Sequence, residues 1–251
     1  MDNTDRSLTH PVSAGVDTAT AVDPKLRAFM IGVYNKVALG LLVSAGLAYL
    51  TSSVPAVRDL LFKTTPDTGR FIGLTGLGAA TVLSPLIAMI GFGMKAQLSA
   101  ARARVLYWSI VTTIGASLGV TVLVYTTTSV ATAFAASAAG FGALSLWGYC
   151  TERNLSAVGS FWVTGLVGLL MVIGLNIFLQ SPIIGFAVNA VGVTIFAGLI
   201  AHDTQRLKSF YQVSQHDTGA MSAAADLGAL SLYLDFINLF QFLLALIGGR
   251  R

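Results

Sequence analysis

Apolar residues run along this chain in seven long stretches that are separated by short polar segments. Each stretch holds about 20 residues or more, which is the length a helix needs to cross the roughly 30 Å hydrocarbon core of a bilayer. The pattern therefore predicts an all-α integral membrane protein with seven transmembrane helices in one domain, residues 25–251. The predicted spans are residues 28–51, 71–93, 104–126, 129–149, 157–179, 182–202 and 227–249.

Composition and charge agree with a membrane protein. The 251 residues are 55% hydrophobic and only 10% charged, whereas about 25% of the residues in a soluble domain are charged. The net charge of +4 is scattered over short loops and forms no continuous patch, so we expect the lipid bilayer as partner and no nucleic acid. Residues 1–24 are polar and contain no apolar segment, which predicts a disordered tail instead of a signal peptide. The loops on the side of the N-terminus hold more Lys and Arg than those on the other side, which places that terminus in the cytoplasm.

Polar side chains inside the predicted spans are the candidates for function. Asp235 lies within the last span, and Ser231, Asp235 and Asn238 follow one another at i, i+4 and i+7, so they form one polar stripe on a helix. A charge at membrane depth costs at least about 2.5 kcal/mol, and such residues mark ion or proton pathways. Asn176 and Asn189 lie in the fifth and sixth spans, where an amide either makes interhelical hydrogen bonds or lines a pathway.

Asp203 ends the sixth span and allows two interpretations. It can be an interfacial charge paired with Arg206 three residues later on the same helix face. Alternatively it meets Asp235, because the last two spans are antiparallel neighbours joined by a predicted loop from Lys208 to Asp226. This requires that the sixth helix continue past its hydrophobic end and that the cytoplasmic end of the seventh lie level with it. Two adjacent carboxylates titrate as a unit, which would create a proton-sensitive element at the cytoplasmic end of the bundle.

Two further features of the spans bear on how the helices pack. Lys36, in the first span, either extends its ammonium group to the membrane surface or forms an ion pair inside the bundle. The fourth span is rich in Ala, Gly and Ser, and small side chains allow close helix packing, so we expect this helix deep in the bundle.

Enzymatic chemistry finds little support in the sequence. A single cysteine excludes an intramolecular disulfide, and with only three scattered histidines it makes a zinc site improbable. No serine and histidine lie together in the spans as a hydrolase would require, and the sequences around Asp203 and Asp235 are not those of an intramembrane aspartyl protease. We expect no enzymatic activity and no cofactor.

Several motifs resemble the transmembrane Bax-inhibitor-motif family, in particular its bacterial, YccA-like members. The most distinctive is GALSLYLDFINLF at 228–240; LSLWGYCTERNLSAVGSFWVTGLVGLL at 144–170 and HDTQ at 202–205 extend the resemblance. It implies seven helices with the last one central, and a pH-sensitive calcium leak. Asp203 and Asp235 correspond to the aspartate pair that controls the cytoplasmic end of the pore, with weak, transient Ca²⁺ binding. Lys95 occupies the position of a cation that latches onto this pair.

The resemblance leaves two functions open. The first is a cation leak channel of the bacterial inner membrane that is gated by protonation of Asp203 and Asp235. The alternative is a non-conducting regulator that binds a membrane protease such as FtsH, as YccA-like members do, or a translocon.

Overall fold

The computed structural model describes residues 23–93 and 99–251, and these are almost entirely helical. The elements, in chain order, are α1 (Pro24–Ser53), α2 (Pro55–Leu61), β1 (Phe62–Thr64), β2 (Phe71–Leu74), α3 (Gly76–Gly93), α4 (Ala100–Ser117), α5 (Gly119–Val124), α6 (Thr127–Cys150), α7 (Ser156–Leu179), α8 (Pro182–Ser214) and α9 (Thr218–Ile247). The predicted tail, residues 1–24, lies outside the described residues except for its last two positions, and Pro24 already belongs to α1.

Six spans in the described part of the chain are long and apolar enough to cross a membrane: α1, α4 together with α5, α6, α7, α8 and α9. The predicted second span is not one of them. Its first residues, Phe71–Leu74, form a strand that pairs antiparallel with Phe62–Thr64, and only α3 is helical. The segment between the strands turns at Gly69, which has a φ of 64°, a conformation that favours glycine. The predicted number of seven transmembrane helices is therefore not confirmed.

The predicted loop from Lys208 to Asp226 is wrong. Helix α8 continues to Ser214 and α9 already begins at Thr218, so three residues connect them. Asp217 starts α9 because its carboxylate accepts hydrogen bonds from the backbone N–H groups of Gly219 and Ala220, at 2.7 and 3.2 Å. Both helices extend beyond their apolar residues, which a hydropathy window does not detect.

Helix α9 lies at the centre of the bundle and packs against α1, α4, α6 and α8. Half of its 18-residue apolar segment is buried, which is the largest fraction among the six spans. Leu232 and Tyr233 are fully buried, and the hydroxyl of Tyr233 lies 2.7 Å from that of Ser44 on α1. The central position expected for the last helix agrees with this packing.

Helix α6 lies deep in the bundle on one face only. Its buried residues are Ala133, Ser137, Ser145 and Gly148, and a Cβ added to Gly148 would come within 2.4 Å of the backbone oxygen of Ala201 on α8. The small residues permit this close approach. Most of the remaining alanines face outward, so the prediction from small-residue content was too broad.

Candidate functional site

Asp235 is a buried carboxylate near the middle of the central helix. Its side chain is 6% exposed, and Oδ2 is buried without a hydrogen-bond partner among the described residues. The carboxylate is close enough to Asp203 of α8 for an electrostatic interaction. The two aspartates that the sequence singled out therefore lie within electrostatic range of each other.

Asp203 is less enclosed than Asp235, since 16% of its side chain is exposed. Its Oδ1 lies 2.9 Å from Nδ1 of the adjacent His202. Arg206, the partner considered from the sequence, instead lies over the ring of Phe210, 4.8 Å from its centroid. The His202 ring packs so closely on α7 that a Cβ added to Gly159 would come within 2.2 Å of it. A glycine at position 159 therefore makes room for the histidine beside Asp203.

The other members of the predicted stripe remain on the helix that carries Asp235. Ser231, one turn earlier, is half-buried. Asn238 is half-buried too, and its amide donates a 2.8 Å hydrogen bond to the carbonyl of Leu234 in the same helix. The contact seen for Asn238 is thus within α9, not to another helix.

Asn176 and Asn189 lie away from the aspartates. Both line a cavity of about 380 Å³ between α7, α8 and Phe242 of α9. The Asn176 side chain accepts a 3.0 Å hydrogen bond from the backbone N–H of Ser181, at the end of α7. Asn189 is 14 residues from Asp203, or about 21 Å along α8. The two amides therefore belong to the opposite end of the bundle.

Lys95, the predicted latch cation, lies outside the described residues. Within residues 23–93 and 99–251, no three His, Cys, Asp or Glu side chains come together as a potential metal site. Calcium prefers six to eight oxygen ligands. Two carboxylates alone supply fewer ligands than that.

A second buried carboxylate of α9 was missed in the sequence analysis. Asp226 is 1% exposed and forms an ion pair with Lys36 of α1, while Nε of Arg104 on α4 lies 3.9 Å from its other oxygen. The hydroxyl of Tyr107 donates a 2.5 Å hydrogen bond to the backbone carbonyl of Lys36. Lys36 thus forms an ion pair inside the bundle, the second of the two roles considered for it.

The sequence did contain a signal for this pair. Lys36 lies within an apolar span and needs a counter-charge or a route to water. Asp226 was overlooked because it was placed at the end of a loop.

Known proteins resemble this chain along almost its whole length. Residues 26–251 match the family model described as inhibitor of apoptosis-promoting Bax1. An uncharacterized protein of Caulobacter vibrioides is 53% identical, over 92% of each chain. The inner membrane protein YbhL of Escherichia coli K12 is 38% identical, over 90% of this chain and 93% of its own. The uncharacterized protein RP147 of Rickettsia prowazekii is also 38% identical, over 91% and 92%.

Proposed function

We propose that this chain, which belongs to the Bax inhibitor family, is a pH-sensitive cation leak channel in a bacterial inner membrane. Ca²⁺ is the proposed ion, and the N-terminus is proposed to lie in the cytoplasm. Protonation of the Asp203 and Asp235 pair controls the leak. The observation that carries the proposal is the buried carboxylate of Asp235, which has an unpartnered oxygen and a second carboxylate as its charged neighbour.

The chemistry of such a pair supports control by pH. Two carboxylates in a poorly solvated place resist ionising together, so they hold one proton between them over part of the pH range. The shared proton joins α8 to α9. Its loss leaves two negative charges, which either repel each other or attract a cation.

The surroundings of the pair give the proton a short route. Asp203 and its neighbour His202 are 16% and 18% exposed, whereas Asp235 is 6% exposed. A cavity of about 190 Å³ is lined by His202, Gln205, Arg206 and Ser209. We propose that protons reach His202 through this cavity and pass to Asp203, whose Oδ1 lies 2.9 Å from Nδ1 of His202.

Calcium flux into dye-loaded proteoliposomes tests the proposal across about pH 5 to 8. We expect wild-type flux to depend on pH, and either Asp203→Asn or Asp235→Asn to abolish that dependence. Asp67→Asn is the matched control, because Asp67 is an exposed carboxylate in the turn between β1 and β2. It should leave the pH profile unchanged.

One result would contradict the channel proposal. If folded wild-type protein gave no more flux than empty vesicles, the chain would not be a leak channel. Affinity capture of membrane protease or translocon components would then test the regulatory alternative.

A further inference from the structure

A groove of about 530 Å³ opens on the outside of the bundle between α1 and α6. The residues that line it lie along one stripe of each helix. A guanidinium group lies at one end of the groove, and aromatic and aliphatic groups lie at the other end. Ile31 of α1 and Leu146 of α6, which both line it, are 50% and 64% exposed. The walls include Arg27, Ile31 and Tyr34 on α1, and Gly142, Ser145 and Tyr149 on α6.

The groove is charged at one end and apolar at the other. The ring of Tyr34 meets that of Phe141 edge to face, with centroids 6.3 Å apart. The contact between Tyr34 and Phe141 marks one end of the groove. Because α1 and α6 run in opposite directions, Arg27 and Tyr149 lie level with each other at the other end. Seven residues separate Arg27 from Tyr34, or about 10.5 Å along the helix axis.

Three hydroxyl groups in the groove wall have no partner. Tyr34 Oη, Ser145 Oγ and Tyr149 Oη are buried without a hydrogen bond to any described residue. Ser145 as a whole is only 4% exposed. Buried hydroxyls normally have partners, because an unmade hydrogen bond is costly away from water. Three such hydroxyls beside one groove leave three unused donors for the acceptor oxygens of a ligand.

The charges at the mouth indicate the sign of that ligand. Arg27 is exposed, and its guanidinium makes no ion pair with a described residue. The ammonium of Lys208 lies 5.1 Å from the ring centroid of Tyr149. No acidic side chain is among the described residues that line the groove. The mouth is therefore suited to an anion.

We propose that this groove binds one anionic phospholipid. Its phosphate lies at Arg27, with the charge of Lys208 near Tyr149 adding to the attraction. Its ester and glycerol oxygens accept hydrogen bonds from the three hydroxyls, and an acyl chain follows the apolar wall past Tyr34. The membrane supplies molecules of this shape and polarity in excess, and Arg recognises phosphate with a forked pair of donors. The site does not depend on ion conduction.

Native mass spectrometry of the full-length chain in mild detergent tests this site. Dioleoyl phosphatidylglycerol and dioleoyl phosphatidylcholine are titrated separately, and the first lipid bound is measured. Wild type should retain one phosphatidylglycerol in preference to phosphatidylcholine. Gly142→Leu should lose that lipid, because a Cβ at Gly142 meets nothing within 4 Å and the larger side chain fills the groove.

A matched control is available on α7. Gly168 is also exposed, and a Cβ there likewise meets nothing within 4 Å, so Gly168→Leu should keep the lipid. Arg27→Gln should weaken the first phosphatidylglycerol about fivefold. Arg102→Gln should not, since Arg102 is an exposed cation at the start of α4, away from the groove.

Three results would overturn the proposal. The first is full retention of phosphatidylglycerol by Gly142→Leu, and the second is an equal effect of Arg27→Gln and Arg102→Gln. The third is displacement of the lipid by soluble glycerol phosphate alone, which would identify a site for a free anion. If Gly142→Leu failed to fold, Ile31→Trp would fill the groove from the opposite wall; loss of the lipid would then support the site, and its retention would overturn it.

Discussion

The central helix carries two buried aspartates whose surroundings differ in charge. Asp226 has Lys36 as its ion-pair partner and Arg104 at 3.9 Å, whereas Asp235 has a second carboxylate, Asp203, as its electrostatic neighbour. Nine residues separate them, which is two and a half turns and about 13.5 Å along the axis, so they lie on opposite faces of α9. The carboxylate on one face of α9 has cations that neutralise its charge, and the carboxylate on the other face has another carboxylate as its neighbour.

This difference distinguishes a carboxylate that has a buried counter-charge from the one that we propose to respond to pH. A buried ion pair keeps its charges over a wide pH range, and breaking it by removing one partner is costly. Two neighbouring carboxylates in a poorly solvated site instead resist ionising together, because their like charges repel each other. Burial alone therefore does not identify a switch, and the sign of the neighbouring charge matters more.

The largest expected effect comes from removing the cation beside Asp226. Lys36→Met leaves a carboxylate that is 1% exposed with only Arg104 nearby. We expect a loss of about 3 kcal/mol in the free energy of unfolding, the lower end for a broken buried pair, because Lys36 is a third exposed. Reversible unfolding in mixed micelles measures this loss.

A double variant controls for that result. Combining Lys36→Met with Asp226→Leu removes both charges, and most of the lost stability should return. If the double variant were no more stable than Lys36→Met alone, the loss would come from packing and not from an unpaired charge.

The next test replaces each aspartate of α9 by its neutral isostere. Asp226→Asn should lose about 2 kcal/mol, because Lys36 then lacks its counter-charge. Asp235→Asn should stay within about 1 kcal/mol of wild type at pH 7, since it removes a charge that faces a like charge. Equal losses in the same unfolding assay would mean that the two faces of α9 do not differ as described.

The smallest effect concerns a carboxylate outside the bundle, Asp23, which serves as an exposed reference. The backbone N–H of Lys25, and then the hydroxyl of Tyr211 at 2.8 Å, lower the pKa of Asp23 from its ordinary value of 3.8. Because the folded pKa is the lower one, its stabilising contribution is complete above the unfolded pKa and is lost as pH falls through the folded pKa.

Comparison of wild type with Asp23→Ala over a range of pH tests this contribution. The small difference in unfolding free energy should be constant between about pH 5 and 8, should begin to shrink as the pH falls past about 3.8, and should vanish only below the lower, folded pKa. A difference that changed over that upper range would instead tie Asp23 to the response proposed for Asp203 and Asp235.

Much of the fold follows from hydropathy, because a membrane span is a local property of about 20 residues. The hairpin at 62–74 was missed although its turn, TTPDTG, contains strong turn residues, since the apolar residues after it were assigned to one span. The helical continuations around Gln215 were missed for a related reason. Their polar residues lie on helices that extend beyond the apolar core.

The part of the candidate site that was predictable lies on helices that follow each other in the chain. Asp203 and Asp235 lie on consecutive antiparallel helices, so their proximity follows from connectivity. Asp226 meets Lys36 across 190 residues of sequence, and only tertiary packing brings them together. The groove between α1 and α6 has the same origin, because its walls belong to helices that are far apart in the chain.

The central position of α9 also has a consequence for biosynthesis. The helix that fills the middle of the bundle is made after the helices that surround it, and Asp226 is made 190 residues after Lys36. At about 5 to 20 residues per second, Lys36 waits about 10 to 40 s for its counter-ion. During that interval Lys36 lacks the counter-charge that Asp226 provides in the complete bundle. A chain truncated before α9 would never acquire it.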